Sequence, residues 1–187
     1  MTEVKKALRT LIQGETDAVN FYMEFSKVAK QEGFQNISTL FKALAKAEEI
    51  HIKNHYNALG EEFVVKKTGV IPTQSTLKNI NFALSGERKE SKKLYPKLIK
   101  SIKKYLNTEF GKVAKLSMTW AKSAEKEHAK LLKMALKSLS KGCDMTYDKI
   151  TVCTVCGNVI IDQTSDKECI VCGHDSIFFQ SVDKVVL

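Results

Sequence analysis

The chain has 187 residues, of which 43% are hydrophobic, and a formal net charge of +9. This length allows one ordinary domain plus a small module. No segment approaches the roughly 20 consecutive apolar residues that a membrane-spanning helix needs, so a membrane protein is not expected. The first ten residues, MTEVKKALRT, lack the apolar core of a signal peptide, and we therefore expect a cytoplasmic location.

The charge is divided unevenly along the chain. Residues 1–142 carry 27 Lys and Arg against 14 Asp and Glu, a net charge of +13, whereas residues 143–187 carry 3 against 7, a net charge of −4. We predict two domains, 1–142 and 149–187, whose opposite charges could attract each other. The alternative is that the lysines simply form a solvated helix surface.

Four helical segments are predicted in the first domain. Apolar residues recur at intervals of three and four over about 3–31 and again over about 37–59, where Gly60 ends the pattern. The third helix is expected over about 75–106, with a bend or break at Pro96. The fourth is expected over about 109–140, and Gly142 follows it.

The lengths of the connections predict the topology. Short turns join the first helix to the second and the third to the fourth, so each pair should be antiparallel. The connection of about 15 residues around Pro72 can span roughly 50 Å, more than the length of one helix, so the second and third helices should be parallel. This one-crossover arrangement is typical of ferritin-like bundles, and the predicted fold class is mainly α, with a small β-rich metal domain.

Acidic residues and histidines recur at metal-ligand spacing on these helices. A glutamate precedes a histidine by three residues in two helices, which places both side chains on one helix face. Of the other two helices, the first offers one glutamate on its predicted inner face and the third offers two. The candidate ligands are Glu15, Glu48, His51, Glu87, Glu90, Glu125 and His128. This is the ligand scheme of di-iron carboxylate bundles, and carboxylate with imidazole suits iron or manganese. His55 follows His51 by one turn and is interpreted as a surface or supporting group.

Four cysteines form two pairs in the C-terminal segment. Cys153 and Cys156 are separated by two residues, as are Cys169 and Cys172, and twelve residues lie between the pairs. Such pairs close around one tetrahedral metal, either iron or zinc, and disulfides are disfavoured in the cytoplasm. Cys143 lies outside both pairs and is not expected to be a ligand. The flanking segments 151–160 and 176–186 are predicted to contain short strands.

With both sites placed, the chain resembles the rubrerythrin family over nearly its whole length, a helical bundle followed by a rubredoxin-like domain. All seven potential iron ligands of the family signature are present, and Glu90 is the one that separates this family from other ferritin-like bundles. Tyr22 and Tyr95 match family tyrosines that hydrogen-bond near the irons. The prolines common around rubredoxin cysteine pairs are absent, so zinc remains an alternative in the four-cysteine site.

The resemblance also implies a role for each ligand. Glu48 and Glu125 would bridge two irons, and Glu15 would bind the first iron. On reduction, this first iron would exchange Glu90 for His51. The remaining ligands would hold the second iron, through Glu87 and His128, and the rubredoxin-type iron, through Cys153, Cys156, Cys169 and Cys172.

The function implied by the resemblance is reduction of hydrogen peroxide to water, with electrons drawn from NAD(P)H through a partner reductase or rubredoxin. Family members form homodimers in which the small domain of one subunit faces the di-iron site of the other. Two alternatives remain: a ferroxidase or oxygen-reducing di-iron protein, and a zinc-ribbon module that binds nucleic acid. The acidic C-terminal segment and the acidic residues inside the helices argue against the last, so neither nucleic acid nor a membrane is expected as a partner.

Overall fold

The computed structural model describes residues 2–67, 69, 74–162 and 168–182. Its helical part consists of α1 (Thr2–Gln31), α2 (Gln35–Leu59), α3 (Thr76–Lys89), α4 (Tyr95–Ser101) and α5 (Glu109–Leu139). Within these described ranges, no helix has the length and apolar character that crossing a membrane requires.

Contacts between side chains give the direction of each helix. Near the turn between α1 and α2, Ser26 bonds to Ser38, and at the far ends Lys5 lies 2.5 Å from Glu61, so these helices are antiparallel. Along α1, Tyr22 contacts Glu87 and Glu15 contacts the later Tyr95, so the third helical segment is also antiparallel to α1. It is therefore parallel to α2, as the long connection predicted. Pro72, within that connection, lies outside the described residues.

The third predicted helix is interrupted, but the interruption begins before the proline. A π-helical turn, Glu90–Leu94, joins α3 to α4, and a 3₁₀ turn, Lys103–Tyr105, follows. Pro96 occupies the first turn of α4, where its fixed φ is compatible with the helix and its missing N–H costs least. The π turn therefore precedes the proline, and it includes Glu90, one of the acidic residues of this helix.

The C-terminal part contains a three-stranded antiparallel sheet in the order β2-β1-β3. The strands are β1 (Ile150–Cys153), β2 (Val159–Ile161) and β3 (Phe179–Ser181), and a 3₁₀ turn, Ser176–Phe178, precedes β3. They lie within or overlap the two predicted segments. Residues 183–186, at the end of the second predicted segment, lie outside the described residues.

The sheet shares a hydrophobic core with one end of the bundle. Phe25 and Phe41 of α1 and α2 belong to the same buried cluster as Ile150 and Val152 of β1. The linker is fixed as well, because the Asp144 carboxylate accepts hydrogen bonds from two backbone N–H groups in the first turn of α2, at 2.7 and 3.1 Å. A second apolar cluster fills the other end of the bundle, and the acidic residues lie between the two.

Candidate metal centres

Carboxylates and histidines from α1, α2, α3 and α5 converge in the middle of the bundle. Their ligand atoms form two groups, and in each group all atoms lie within 4.8 Å of one another. Glu48 and Glu125 belong to both groups. The first group adds Glu15 and His51, and the second adds Glu87 and His128. All six residues are buried, so the bundle offers two adjacent metal positions that share two carboxylates.

The spacing of the ligand atoms fits metal binding. His51 Nδ1 lies 2.8 Å from Glu48 Oε2 and 3.0 Å from Glu125 Oε1, and His128 Nδ1 lies 2.9 Å from Glu125 Oε2. Two ligands bound at right angles and about 2.1 Å from one ion are about 3 Å apart. Among the described residues, one oxygen of each of the four carboxylates has no hydrogen-bond donor, a costly state in a buried site that a bound cation would relieve.

Both histidines present the correct nitrogen to these positions. His51 Nε2 lies 3.1 Å from the carbonyl oxygen of Cys156, and His128 Nε2 lies 3.0 Å from that of Gly157. Because a carbonyl oxygen only accepts, each Nε2 carries a hydrogen, so Nδ1 is the nitrogen whose lone pair a metal can take. That lone pair faces the carboxylates, which is the state a metal ligand needs.

Two buried tyrosines fix the outer carboxylates. The Tyr22 hydroxyl donates to Glu87 Oε1, and the Tyr95 hydroxyl donates to Glu15 Oε1. Burial and the neighbouring carboxylates raise the pKa of both tyrosines well above its usual value, so both remain donors. Each tyrosine occupies one oxygen of its partner and leaves the other oxygen for a metal.

The carboxylates cannot all be ionised without a cation. Burial, reinforced by the neighbouring negative charges, raises the pKa of Glu48 and Glu125 well above its usual value, and burial raises that of Glu15 likewise. For Glu87, burial acts in the same direction but is outweighed by hydrogen bonding from Glu125 and the charge of His128, so its pKa is lowered. Metal binding would therefore displace protons from this cluster.

Glu90, the seventh predicted ligand, does not join either group of converging atoms. It is the first residue of the π turn and is half-buried. It lines a cavity of about 160 Å³ whose walls also include Tyr22, Gly14 and Gly86. The structure therefore places Glu90 at the edge of the carboxylate cluster, and it places His51, the residue with which Glu90 is expected to exchange, inside it.

The four cysteines of the small domain also converge. Sγ of Cys153 lies 3.7 Å from Sγ of Cys172, and Sγ of Cys156 lies 3.5 Å from Sγ of Cys169. A tetrahedron of sulfurs bound at about 2.3 Å has edges of about 3.8 Å, so the thiols fit one metal ion and form no disulfide. Cys143 is exposed and is not part of this group.

The two candidate centres contact each other directly. Besides the two histidine–carbonyl hydrogen bonds, the Asn54 amide of α2 donates to the Val155 carbonyl at 2.7 Å. Gly157, at φ +79°, packs so closely that a Cβ there would lie 2.5 Å from His51 Nε2. The contact that the family resemblance implied between subunits is made here within one chain.

Comparison with known proteins identifies the family. The rubrerythrin family model matches residues 6–136, which hold all seven candidate ligands of the bundle. The chain belongs to the rubrerythrin family. Proteins of this family are iron-binding, di-iron oxidoreductases with peroxidase-type activity.

Similar rubrerythrins and nigerythrins extend over both parts of the chain. Rubrerythrin-2 of Clostridium acetobutylicum is 32% identical over 93% of this chain and 94% of its own length. Nigerythrin of Nitratidesulfovibrio vulgaris is 31% identical over 88% of this chain and 79% of its own length. The fully reduced, all-ferrous structure of nigerythrin aligns with a TM-score of 0.83 at 29% identity, covering 95% of this chain and 86% of that one.

Sequence reasoning missed part of the surroundings of the centre in this rubrerythrin-family chain. His55, interpreted as a surface or supporting group, is fully buried, with Nδ1 2.6 Å from Ser117 Oγ and Nε2 3.1 Å from the Tyr95 hydroxyl. Its position one turn after His51 was the only indication in the sequence that it lies near the centre. Ser117 and Asn54 gave none, because their contacts depend on how helices and domains pack.

Proposed function

We propose that this protein is a peroxidase that reduces hydrogen peroxide to two water molecules, consuming two electrons and two protons. The observation that carries the proposal is the direct contact between the two centres, in which His51 and His128 donate to the Cys156 and Gly157 carbonyls. A ferroxidase has no need of a four-cysteine site in hydrogen-bonding contact with its carboxylate cluster, whereas a peroxidase that receives electrons one at a time does.

Two irons in the bundle and one iron in the four-cysteine site complete the proposal. The bundle pair would be held by Glu15, Glu48, His51, Glu87, Glu125 and His128, with Glu90 exchanging for His51 on oxidation, and the third iron by Cys153, Cys156, Cys169 and Cys172. Iron at these sites would supply the electrons that cleave the O–O bond. The protein itself contributes position, exclusion of water and hydrogen-bond donors.

The residues around the bundle site support reduction of a small oxidant. The cavity beside Glu90 and Tyr22, at about 160 Å³, has room for only a few water-sized molecules. Tyr22 and Tyr95 hold Glu87 and Glu15 in place through hydrogen bonds. These donors are built into the core, so they need little rearrangement when the oxidant binds.

Electrons would enter through the small domain. Cys172 is less buried than the other three cysteines of the site, and the exposed side chains of Ile170 and Ile177 lie near it in the sequence. The proposed donor is a reductase, or a rubredoxin, that draws on NAD(P)H. We also propose a cytoplasmic homodimer, in which each chain presents its cysteine segment to its own histidines.

Rapid mixing of the reduced, iron-loaded protein with oxidant tests this function. In the intact protein, peroxide should restore the visible absorption of the oxidised four-thiolate iron, and oxygen should act more slowly. In Glu125→Ala, which removes a shared ligand of the bundle and leaves the cysteines intact, that absorption should return far more slowly. Equal rates in both proteins would overturn the proposal, and faster oxidation by oxygen than by peroxide would favour the oxygen-reducing alternative.

A further inference from the structure

His55 is the one histidine of α2 that the proposed chemistry leaves without a role. It is fully buried where α2 meets α4 and α5, and both of its ring nitrogens have partners. Burial lowers its pKa to about 3, so the ring is neutral and one nitrogen donates while the other accepts. The neighbouring groups decide which nitrogen donates and which accepts.

The hydrogen positions in the bonds that join Ser117, His55 and Tyr95 can be assigned by starting from Tyr95. Tyr95 has a single hydroxyl hydrogen, and it donates that hydrogen to Glu15. The Tyr95 oxygen must then accept from His55 Nε2, 3.1 Å away, so Nε2 carries the ring hydrogen. His55 Nδ1 is left as an acceptor, and Ser117 Oγ, at 2.6 Å, donates to it. Every hydrogen bond from Ser117 to Glu15 therefore points in the same direction.

We propose that Ser117, His55 and Tyr95 form a one-way hydrogen-bonded chain that orients Glu15, and that His55 is the positioning residue at its centre. Hydrogen bonds aligned in one direction polarise one another, which strengthens the final bond to the carboxylate. The chain fixes one Glu15 oxygen and directs the other, which has no donor among the described residues, towards the first metal position. This inference rests on the proposed role of Glu15 as a metal ligand.

The hydrogen assignment can be tested without any catalytic measurement. Nuclear magnetic resonance of ¹⁵N-histidine-labelled, zinc-substituted protein reports which ring nitrogen is protonated, because zinc is diamagnetic. We expect His55 to carry its hydrogen on Nε2, and the Nδ1 signal to shift in Ser117→Ala. A hydrogen on Nδ1, or on both nitrogens, would overturn the proposal.

Metal affinity tests the positioning role. His55→Leu keeps the bulk but removes both hydrogen bonds, and supporting partners of this kind are worth roughly 10- to 100-fold in metal affinity. We expect a loss of that size in competition with a chelator, and its recovery in His55→Gln, whose amide can donate to Tyr95 and accept from Ser117. Tyr95→Phe should cause a similar loss, and the double variant His55→Leu/Tyr95→Phe little more, because both act through one chain.

Ser38→Ala is the matched control, since it removes a buried hydroxyl that bonds to Ser26, in the α1–α2 interface and not in this chain. It should lower stability but leave metal affinity unchanged. If the bundle of the unmodified protein binds no metal, the proposed di-metal centre fails. If it binds metal and His55→Leu binds equally well, only the role of His55 fails.

Discussion

Gly157 is the residue at which the contact between the two centres is most sensitive to change. Its backbone lies at φ +79°, and an added Cβ would meet the His51 ring. Gly157→Ala should therefore push the cysteine segment away from the histidines. We expect electron transfer from the four-cysteine site to the bundle to slow by about tenfold or more, measured by rapid mixing with peroxide, because small displacements of reacting groups have large effects on rate.

Gly173→Ala provides the matched control for this change. Gly173 occupies the same position after the second cysteine pair and has φ +72°, but a Cβ there would meet nothing within 4 Å. Both variants carry the strain of a left-handed alanine, about 1–2 kcal/mol. Electron transfer as fast in Gly157→Ala as in Gly173→Ala would show that the contact does not govern the transfer.

The candidate ligands were the part of this molecule that the sequence predicted most readily. Glu48 with His51, and Glu125 with His128, lie three apart on a helix, so a shared face follows from helix geometry alone. The hydrogen bond made by Nε2 of each histidine could not be predicted from the sequence. Its partners, the Cys156 and Gly157 carbonyls, are 105 and 29 residues away, and every residue has a carbonyl.

At the scale of elements, the helices and their directions followed from periodicity and connection lengths. The π turn did not, because a single extra residue within a helix leaves no signal in a pattern of apolar residues. Pro96 suggested a break, but the structure places the irregular turn at Glu90–Leu94, before the proline. In a regular α-helix, the ring of Pro96 would clash with the Lys92 carbonyl.

Deleting Lys92, an exposed residue of the π turn, tests whether this turn exists to accommodate the proline. The deletion should force an α-helical register onto Pro96 and lower the free energy of unfolding by about 3 kcal/mol. Adding Pro96→Ala to the deletion should recover most of that loss, as measured by denaturant unfolding. Lys92→Ala is the control and should leave the free energy of unfolding nearly unchanged. A deletion that also leaves it unchanged would show that the π turn does not exist to accommodate the proline.

At the scale of the whole molecule, the buried carboxylates should make the stability of the metal-free protein depend on pH. The pKa of Glu15, Glu48 and Glu125 is higher in the folded state than in the unfolded chain, so the stability they provide is present at low pH and lost as pH rises through their folded pKa. The pKa of His51 and His55 is lowered, which costs stability only below about pH 6.5, where unfolded histidines become protonated.

Above about pH 6.5 the raised carboxylates should lower stability as pH rises, but Cys169, whose thiol pKa is lowered, acts in the opposite direction, so the test uses metal-free Cys169→Ser protein. Its melting temperature should fall over about pH 6.5–8.5, by roughly 3 °C per pH unit for each carboxylate that is still protonated in the folded state, measured by circular dichroism. Metal-loaded protein is the control and should show little change, because the ligands stay ionised. A melting temperature of the metal-free protein that rises with pH would contradict the assigned direction of these pKa shifts.

The sharing of one core by the bundle and the small sheet predicts that the two centres of one chain work together. A chain with Cys169→Ser retains the bundle ligands, and a chain with Glu125→Ala retains the cysteines. We expect a mixture of the two, unfolded and refolded together, to remain inactive with peroxide and the reductase. Recovery towards one quarter or more of the normal activity would show that the small domain docks on a second subunit.

The most direct test of the account is Mössbauer spectroscopy of protein loaded with ⁵⁷Fe, combined with metal analysis. Two carboxylate-bridged positions and one four-thiolate position predict about three irons per chain, two of them magnetically coupled when oxidised and one with the signature of tetrahedral sulfur ligation. Retention of all three after gel filtration is the expected result. A single metal per chain, held by the cysteines alone, would contradict the claim that the buried glutamates and histidines exist to bind a pair of cations.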